Sequence, residues 1–344
     1  MLHFYEDTKV YVYAPAGIVT GGSELLHQLV DLINRNGRKA YIVYCGEKKH
    51  EIPSEYLGYF INLAETIEDK PHNLIIVYEG MFNKTLEIEK AQILLWWLSV
   101  DLMYHSSIYF MSLRDIFNFS FLLGVKSLAL RLRKLIVKKE NYFKNNISFK
   151  KLQSKNLTNG YQSVYAQNYM YKKGFDQIIP LSDYINTDFI EKINKIEEKE
   201  DIILYNPKKG IKFTKKIINA NPDLLFIPIQ NMTRKEVINL MVKAKVYIDF
   251  GFHPGKDRIP REAALLGCVV LTDKRGSAYY YEDVSIPSQY KFIDKTREIP
   301  NIGKKIRYIL NNYEIALKDQ EYYIHKIKKE KSIFEHEVKE LLKL

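Results

Sequence analysis

Short runs of consecutive apolar residues recur along the chain and alternate with segments whose apolar positions repeat at helical spacing. In the first third, Lys9–Ala14, Lys39–Cys45, Leu74–Tyr78 and Ile93–Leu98 predict strands. The last of these (ILLWWL) has no polar position and predicts a strand covered on both faces, as parallel strands are. Between the first two, AGIVTGGSELLHQLVDLINRNG turns through Gly21 and Gly22 into a predicted helix ending near Gly37. Further on, Ser163–Ala166 and Gln177–Pro180 predict short strands around a helix containing Tyr169–Gly174. A second series begins at Asp201 with strand IILY, turn NPKKG and a helix through Asn219. Strand LLFIPI, helix Arg234–Val242 and strand Ala244–Phe250 follow. Strands alternating with helices predict an α/β protein with parallel sheets.

These elements divide the chain into an N-terminal α/β domain over 1–185, a polar Asn/Glu/Lys-rich linker over 186–200 and a C-terminal α/β domain over 201–302. The lysine-rich stretch 303–344 carries helical but no strand patterning. A chain of 344 residues is long enough for two cores. No apolar run reaches membrane-spanning length and no basic-then-apolar leader opens the chain, so the expected location is cytoplasmic. Cys45 and Cys268 both fall at the edges of strand-like runs and read as buried thiols, outside any disulfide framework.

The net charge of +11 changes the picture because it is concentrated. From Lys126 to Lys155 there are ten Lys or Arg against one acid, Glu140. An apolar, aromatic stretch (IYFMSLRDIFNFSFLL, Ile108–Leu123) leads into GVKSLALRLRKLIVKK. Cations mixed with apolar residues at helical spacing predict an interfacial helix, so 108–155 is expected to lie on an anionic membrane surface at the inner face of the cell membrane. A solvated basic face, or a cover for a neighbouring domain, is the plain alternative. No nucleic-acid-binding motif accompanies the basic segment, so nucleic acid is not an expected partner.

The most informative chemistry lies in HPGKDRIPREAALLGCVVLTDKRGSA, His253–Ala278. Behind the Ala244–Phe250 strand comes a loop with Pro254 and Gly255, then a helix with Pro260 in its first turn and Glu262 just inside. The helix stops at Gly267 and feeds an apolar strand, Cys268–Thr272. A helix N-terminus behind such a loop can hold phosphate through its N–H groups and dipole. Glu262 beside it is placed to accept hydrogen bonds from ribose hydroxyls, although a first-turn Glu also favours the helix dipole by itself. Lys256, Arg258 and Arg261 surround the loop, and Arg275, Gly276 and Ser277 follow the next strand, where they can add donors to phosphate or sugar. Lys208 and Lys209, in the NPKKG turn, lie at the carboxyl end of a strand, the edge where open α/β sheets take ligands. No Asp-x-Asp pair is present and the eight histidines show no ligand spacing, so neither a metal nor another cofactor is expected.

The order strand, glycine loop, helix with an early Glu, Ala-Ala, Gly and apolar strand resembles the donor-binding signature of GT-B glycosyltransferases. That resemblance implies two doubly wound Rossmann-like domains facing a central cleft, with C-terminal helices that pack back across the domain boundary. It implies a bacterial envelope-polysaccharide enzyme that moves a sugar from a nucleotide-sugar to a lipid-linked or cell-surface glycan. In the family a Glu at the place of Glu262 binds ribose, the loop with His253 and Gly255 cradles the diphosphate, and Lys or Arg near Lys208 and Lys209 neutralise the leaving group. The turn at Gly21 and Gly22 resembles the glycine-rich loop after the first strand, where amides face donor phosphates and acceptor. One departure is visible: many retaining members carry a second Glu eight positions before the first, where this chain has Pro254.

Just beyond the fourth strand, WWLSVDLMYHSS places Asp101 and His105 at the carboxyl edge. Asp101 is the leading general base of an inverting reaction and His105 the second, with Glu79 a third; a retaining reaction needs none. Asp101 as a helix cap and His105 as an ordinary polar residue are the structural alternatives. Two other functions share the pattern: a GT-B-like transferase moving a polyol phosphate from a CDP donor, and a non-catalytic nucleotide- or sugar-binding partner.

Overall fold

The computed structural model describes residues 2–46, 51–144, 146–155, 157–186 and 198–343. Most of the predicted linker, 187–197, lies outside the described residues. The chain forms two compact units. One comprises 1–162, 166–182 and 334–344; the other comprises 163–165 and 183–333.

The first unit is built on seven parallel strands. They are β1 (Lys9–Pro15), β2 (Lys39–Cys45), β3 (Asn62–Leu63), β4 (Leu74–Tyr78), β5 (Gln92–Trp97), β6 (Leu157–Tyr161) and β7 (Ile178–Pro180), in the order β3-β2-β1-β4-β5-β6-β7. Helix α1 (Gly21–Arg35) returns from β1 to β2 and buries Leu25, Leu26, Leu29, Val30 and Ile33 at helical spacing. Thr20 caps it by accepting from the Ser23 N–H at 3.2 Å. The apolar run of β5 is buried, and both indoles find acceptors: Trp96 Nε1 donates to the Leu181 carbonyl at 2.8 Å and Trp97 Nε1 to Asn159 Oδ1 at 3.1 Å. Phe334 stacks on Trp96 with ring centroids 6.2 Å apart.

Two expectations need correction here. The strand expected at Ser163–Ala166 is instead β6, Leu157–Tyr161, and Val164 already begins a helix, α6 (Val164–Lys172). The LTNGY segment has weak strand propensity, and its ladder with β5 overrides that. The stretch expected as one interfacial helix is broken. After α2 (Val100–Ser106) come α3 (Leu113–Phe119) and α4 (Phe121–Lys138), hinged at Ser120, then the short α5 (Phe149–Gln153). Ser120 ends α3 and caps α4 by accepting from the Leu123 N–H at 3.4 Å. Cys45, expected buried, is half-buried because it sits at the carboxyl end of β2.

The second unit has five parallel strands in the order β12-β11-β10-β8-β9. Their ranges are β8 (Glu200–Tyr205), β9 (Leu225–Pro228), β10 (Ala244–Asp249), β11 (Val269–Asp273) and β12 (Lys291–Phe292). Helices α7 (Ile211–Asn219), α8 (Arg234–Lys243) and α9 (Arg258–Leu265) connect them. Ile203, Leu204, Val246, Tyr247, Val269 and Val270 form the middle of the core. Three helices end the chain: α10 (Ile299–Asn311), α11 (Tyr313–Lys318) and α12 (Glu321–Leu342), the last passing from the second unit into the first at Phe334.

Candidate active site

In the second sheet the winding reverses between β8 and β10, because the chain proceeds outward to β9 and then crosses to the other side of β8. Such a switch point opens a crevice at the carboxyl ends of the strands, where doubly wound sheets bind ligands. Two loops leave it. After β8 the NPKKG turn is held by Asn206 Oδ1, which accepts from the Lys208 N–H at 3.0 Å. Gly210 closes the turn at φ +59°, and a Cβ there would lie 2.3 Å from the Phe250 carbonyl oxygen. Only glycine permits that approach, which sets the turn against the end of β10.

After β10 the chain makes a loop organised around a buried imidazole. His253 Nδ1 lies 2.8 Å from Asp257 Oδ2, and Nε2 lies 3.8 Å from Asp249 Oδ1 and 4.0 Å from Asp273 Oδ1. Burial opposes charge on His253, but the Asp257 hydrogen bond and the surrounding carboxylates outweigh it and raise its pKa. Burial likewise pushes Asp273 up to about 6, against the pull of His253 and Arg275. Asp249 is anchored by the Tyr247 hydroxyl at 3.1 Å and the Gly251 N–H at 3.0 Å. Lys209 Nζ reaches Asp257 Oδ1 at 2.5 Å, so the two loops are joined by charge as well as by packing.

A third segment, after β11, ties down the loop. Arg275 Nε donates to Asp273 Oδ2 at 2.6 Å, and its Nη1 lies 2.8 Å from Asp294. Gly276 has φ +58°, and a Cβ would stand 1.9 Å from the His253 carbonyl oxygen. That carbonyl accepts from the Ser277 N–H at 2.8 Å, while Ser277 Oγ donates to the Gly255 carbonyl at 2.6 Å.

Helix α9 then starts at Asp257, whose carboxylate faces His253 and Lys209 and makes no hydrogen bond to its own helix. Glu262, one turn in, is buried; its Oε1 lies 2.9 Å from Arg234 Nη2 and 3.8 Å from Arg258 Nε. Lys256 and Arg261 belong to a different arrangement. Lys256 Nζ lies 3.1 Å from Asp183 and 2.9 Å from Glu330; Arg261 reaches Asp183 at 2.5 Å and Glu330 at 2.6 Å. Burial works against ionised Asp183, yet Arg261 and Lys256 prevail and hold its carboxyl below the ordinary range.

The residues singled out from the sequence thus fall into separate groups. Lys209, His253, Gly255, Arg275, Gly276 and Ser277 form one hydrogen-bonded assembly, with Lys208 exposed beside it. Arg258 and Glu262 share a cluster with Arg234, and Lys256 is held in the buried quartet. Gly21, Gly22, Asp101 and His105 belong to the first unit. There the two glycines open α1 after β1, while Asp101 occupies the first turn of α2 and His105 its exposed last turn. Glu79, after β4, is fully buried, accepts from the Leu98 N–H at 2.8 Å, and is pushed up to about 8 by burial. A carboxyl so enclosed supports the β5–α2 connection and has no surface from which to meet a substrate.

Sequence reading passed over Asp249, Asp257, Asp273, Arg234, Asp183 and Glu330. The spacing Asp249-x3-His253-x3-Asp257 was a readable signal, and it corrects the view that no histidine has ligand spacing. One ligand atom from each of the three lies within 4.8 Å of the others. In this structure His253 and Asp257 pair with each other, Lys209 pairs with Asp257, and Asp249 accepts from the Gly251 N–H, so the described arrangement is a charge network around the loop.

No protein-family model matches the sequence, and no curated protein matches it. Solved structures do match in fold. A glycosyltransferase from Rickettsia africae is 13% identical with a TM-score of 0.59, the match covering 98% of this chain and 100% of that one. Anabaena HepE in complex with UDP is 10% identical with a TM-score of 0.62, at 98% and 100% coverage. Sucrose-phosphate synthase from Thermosynechococcus elongatus is 10% identical with a TM-score of 0.59, at 98% coverage of each chain. The chain has the GT-B fold of these glycosyltransferases.

Proposed function

We propose that this protein transfers a sugar from a nucleotide-sugar to a lipid-linked or cell-surface glycan, without a metal ion. The observation carrying the reading is the switch point between β8 and β10, where the glycine-closed turn, the His253 loop and the start of α9 converge. Support comes from the likeness in fold to HepE, which was solved with UDP and with UDP-glucose. In this reading Glu262 accepts from the ribose hydroxyls. The start of α9, Gly255, Gly276 and Ser277 surround the diphosphate, and His253 holds the loop in shape. Lys208, Lys209, Arg258 and Arg275 stabilise the leaving group, and Lys256 contributes field from within its quartet. Lys209 and Arg275 already balance aspartates, so an incoming diphosphate shares them with those carboxylates.

The reaction breaks the bond from the anomeric carbon to the phosphate oxygen, and the nucleoside diphosphate departs with the electron pair. A bond forms from the same carbon to an acceptor hydroxyl. If configuration inverts, Asp101 takes the hydroxyl proton, with His105 as the second candidate. Placement at the inner face of the cell membrane, in envelope polysaccharide synthesis, rests on the basic segment 108–155.

Thermal melting with UDP, GDP, CDP, TDP, ADP and CMP tests the donor site, since binding to the folded state raises the melting temperature. One diphosphate should stabilise the wild type, with the shift lost in Glu262→Ala. Stabilisation by CMP alone would instead support a monophosphate-linked sugar donor or a CDP-polyol donor, and no response to any nucleotide would overturn the role of Glu262.

A further inference from the structure

Surface helices ordinarily turn their apolar stripe inward. Helix α4 does the reverse. Its inward side carries Gly124, Ser127 and Arg131, with Leu123 beside them. Arg131 is fully buried and donates to the Ile108 carbonyl at 3.0 Å, the Met111 carbonyl at 2.5 Å and Asn146 Oδ1 at 2.8 Å. Ser127 Oγ donates to the Ile108 carbonyl at 2.6 Å. Gly124 lets Phe117 of α3 close in, for a Cβ there would lie 2.3 Å from its ring. These bonds fix the rotation of α4, because turning the helix over would carry Arg131 and Ser127 away and leave the Ile108 and Met111 carbonyls without their donors.

The outward side is consequently apolar. Leu122 is 80% exposed and Ile136 76% exposed, and Val125 and Leu132, also exposed, complete a stripe at spacing i, i+3, i+10, i+14. Exposed Lys126 and Arg133 run alongside it, seven positions apart, and exposed Lys138 and Lys139 end the helix. With eighteen residues, α4 is about 27 Å long, yet no described helix is long and apolar enough to cross a membrane.

We propose that this inverted face of α4 is a docking surface for an anionic lipid bilayer, with the helix lying in the plane of the interface. The apolar stripe enters the boundary between headgroups and acyl chains, and the adjacent cations meet lipid phosphates. Charge decides the occupant: an apolar partner protein, or a second copy of this basic face, gives Lys126 and Arg133 no counter-charge. The inference deepens the peripheral-membrane part of the proposed function and rests on that part. Its test is vesicle binding, which is read without nucleotide and so fails or succeeds separately from the donor site.

The full chain is to be sedimented with phosphatidylcholine vesicles made with and without phosphatidylglycerol. Binding is expected only with the anionic lipid and should weaken with salt. Lys126→Glu with Arg133→Glu should reduce affinity roughly thirty-fold or more, given about 1 kcal/mol per surface cation. Leu122→Asn with Ile136→Asn should abolish binding while leaving circular dichroism unchanged. A separate reading comes from Leu132→Trp, since the native Trp96 and Trp97 are fully buried and contribute a constant background. Its emission should shift to the blue on anionic vesicles. No sedimentation with anionic vesicles at low salt, an unshifted emission spectrum of the Leu132→Trp variant, or dimerisation through this face in place of vesicle binding would each overturn the proposal.

Discussion

Each unit of the chain contains a switch point, between β1 and β4 in one and between β8 and β10 in the other, and the two are furnished differently. At the first, the loop after β1 offers the backbone of Gly21 and Gly22, while the carboxyl after β4, Glu79, is enclosed beneath the edge and pushed towards its neutral form by burial. At the second, Lys209, His253 and Arg275 are interleaved with Asp249, Asp257 and Asp273. Among the described residues, the same winding therefore presents glycine backbone above an enclosed carboxyl at one edge and interleaved charges at the other. Backbone topology locates a ligand edge; the side chains delivered there decide which charge it prefers. An ionic edge whose dipoles are already oriented favours an anion without reorganising.

The comparison is broken most severely at the quartet behind the second edge. Arg261→Met should cost about 3–5 kcal/mol in urea unfolding, because Asp183 and Glu330 lose their principal counter-charge in a buried site. A loss under about 1 kcal/mol would mean the acids find other partners.

Glu79→Gln sharpens the other side. The carboxyl releases its proton near 4.5 when unfolded and near 8 when folded, so between those values the folded state holds more protons. Stability then falls as pH rises through that window and is greatest below it. The variant should melt nearly like the wild type at pH 5 and be more stable at pH 9, by on the order of 5 kcal/mol. Parallel pH profiles for the two proteins would show that Glu79 ionises freely in the fold.

A smaller effect is expected from Gly276→Ala. Its positive φ and the His253 carbonyl in the path of a Cβ should together cost about 2 kcal/mol. Because that strain falls on the loop, the nucleotide-dependent shift should shrink more than the basal melting temperature does. Equal loss of both would place the damage in the core of the unit instead.

Much of this was legible beforehand. The strand at Ala244–Phe250, the helix with Pro260 and Glu262 and the next strand appear within a residue or two of their expected places. Local signals suffice there, since apolar runs, an N-terminal proline and a terminal glycine all agree. At Leu157–Tyr161 local signals disagree with the outcome, because Asn and Gly are poor strand formers and the ladder with β5 carries the segment. The role of Lys256 was similarly out of reach. Its partners stand at Asp183 and Glu330, more than seventy positions away in each direction, and no spacing rule connects them.

By itself, then, the sequence determined the alternation of strands and helices, the glycine-hinged loops and the concentration of positive charge at 126–155, since each depends on neighbours along the chain. Tertiary structure decided which cations are neutralised and which remain exposed, and which way α4 faces. A leucine-rich basic helix has two rotations compatible with its composition. The hydrogen bonds of Arg131 to carbonyls at Ile108 and Met111, twenty or more positions away, select the one that leaves the apolar stripe outside.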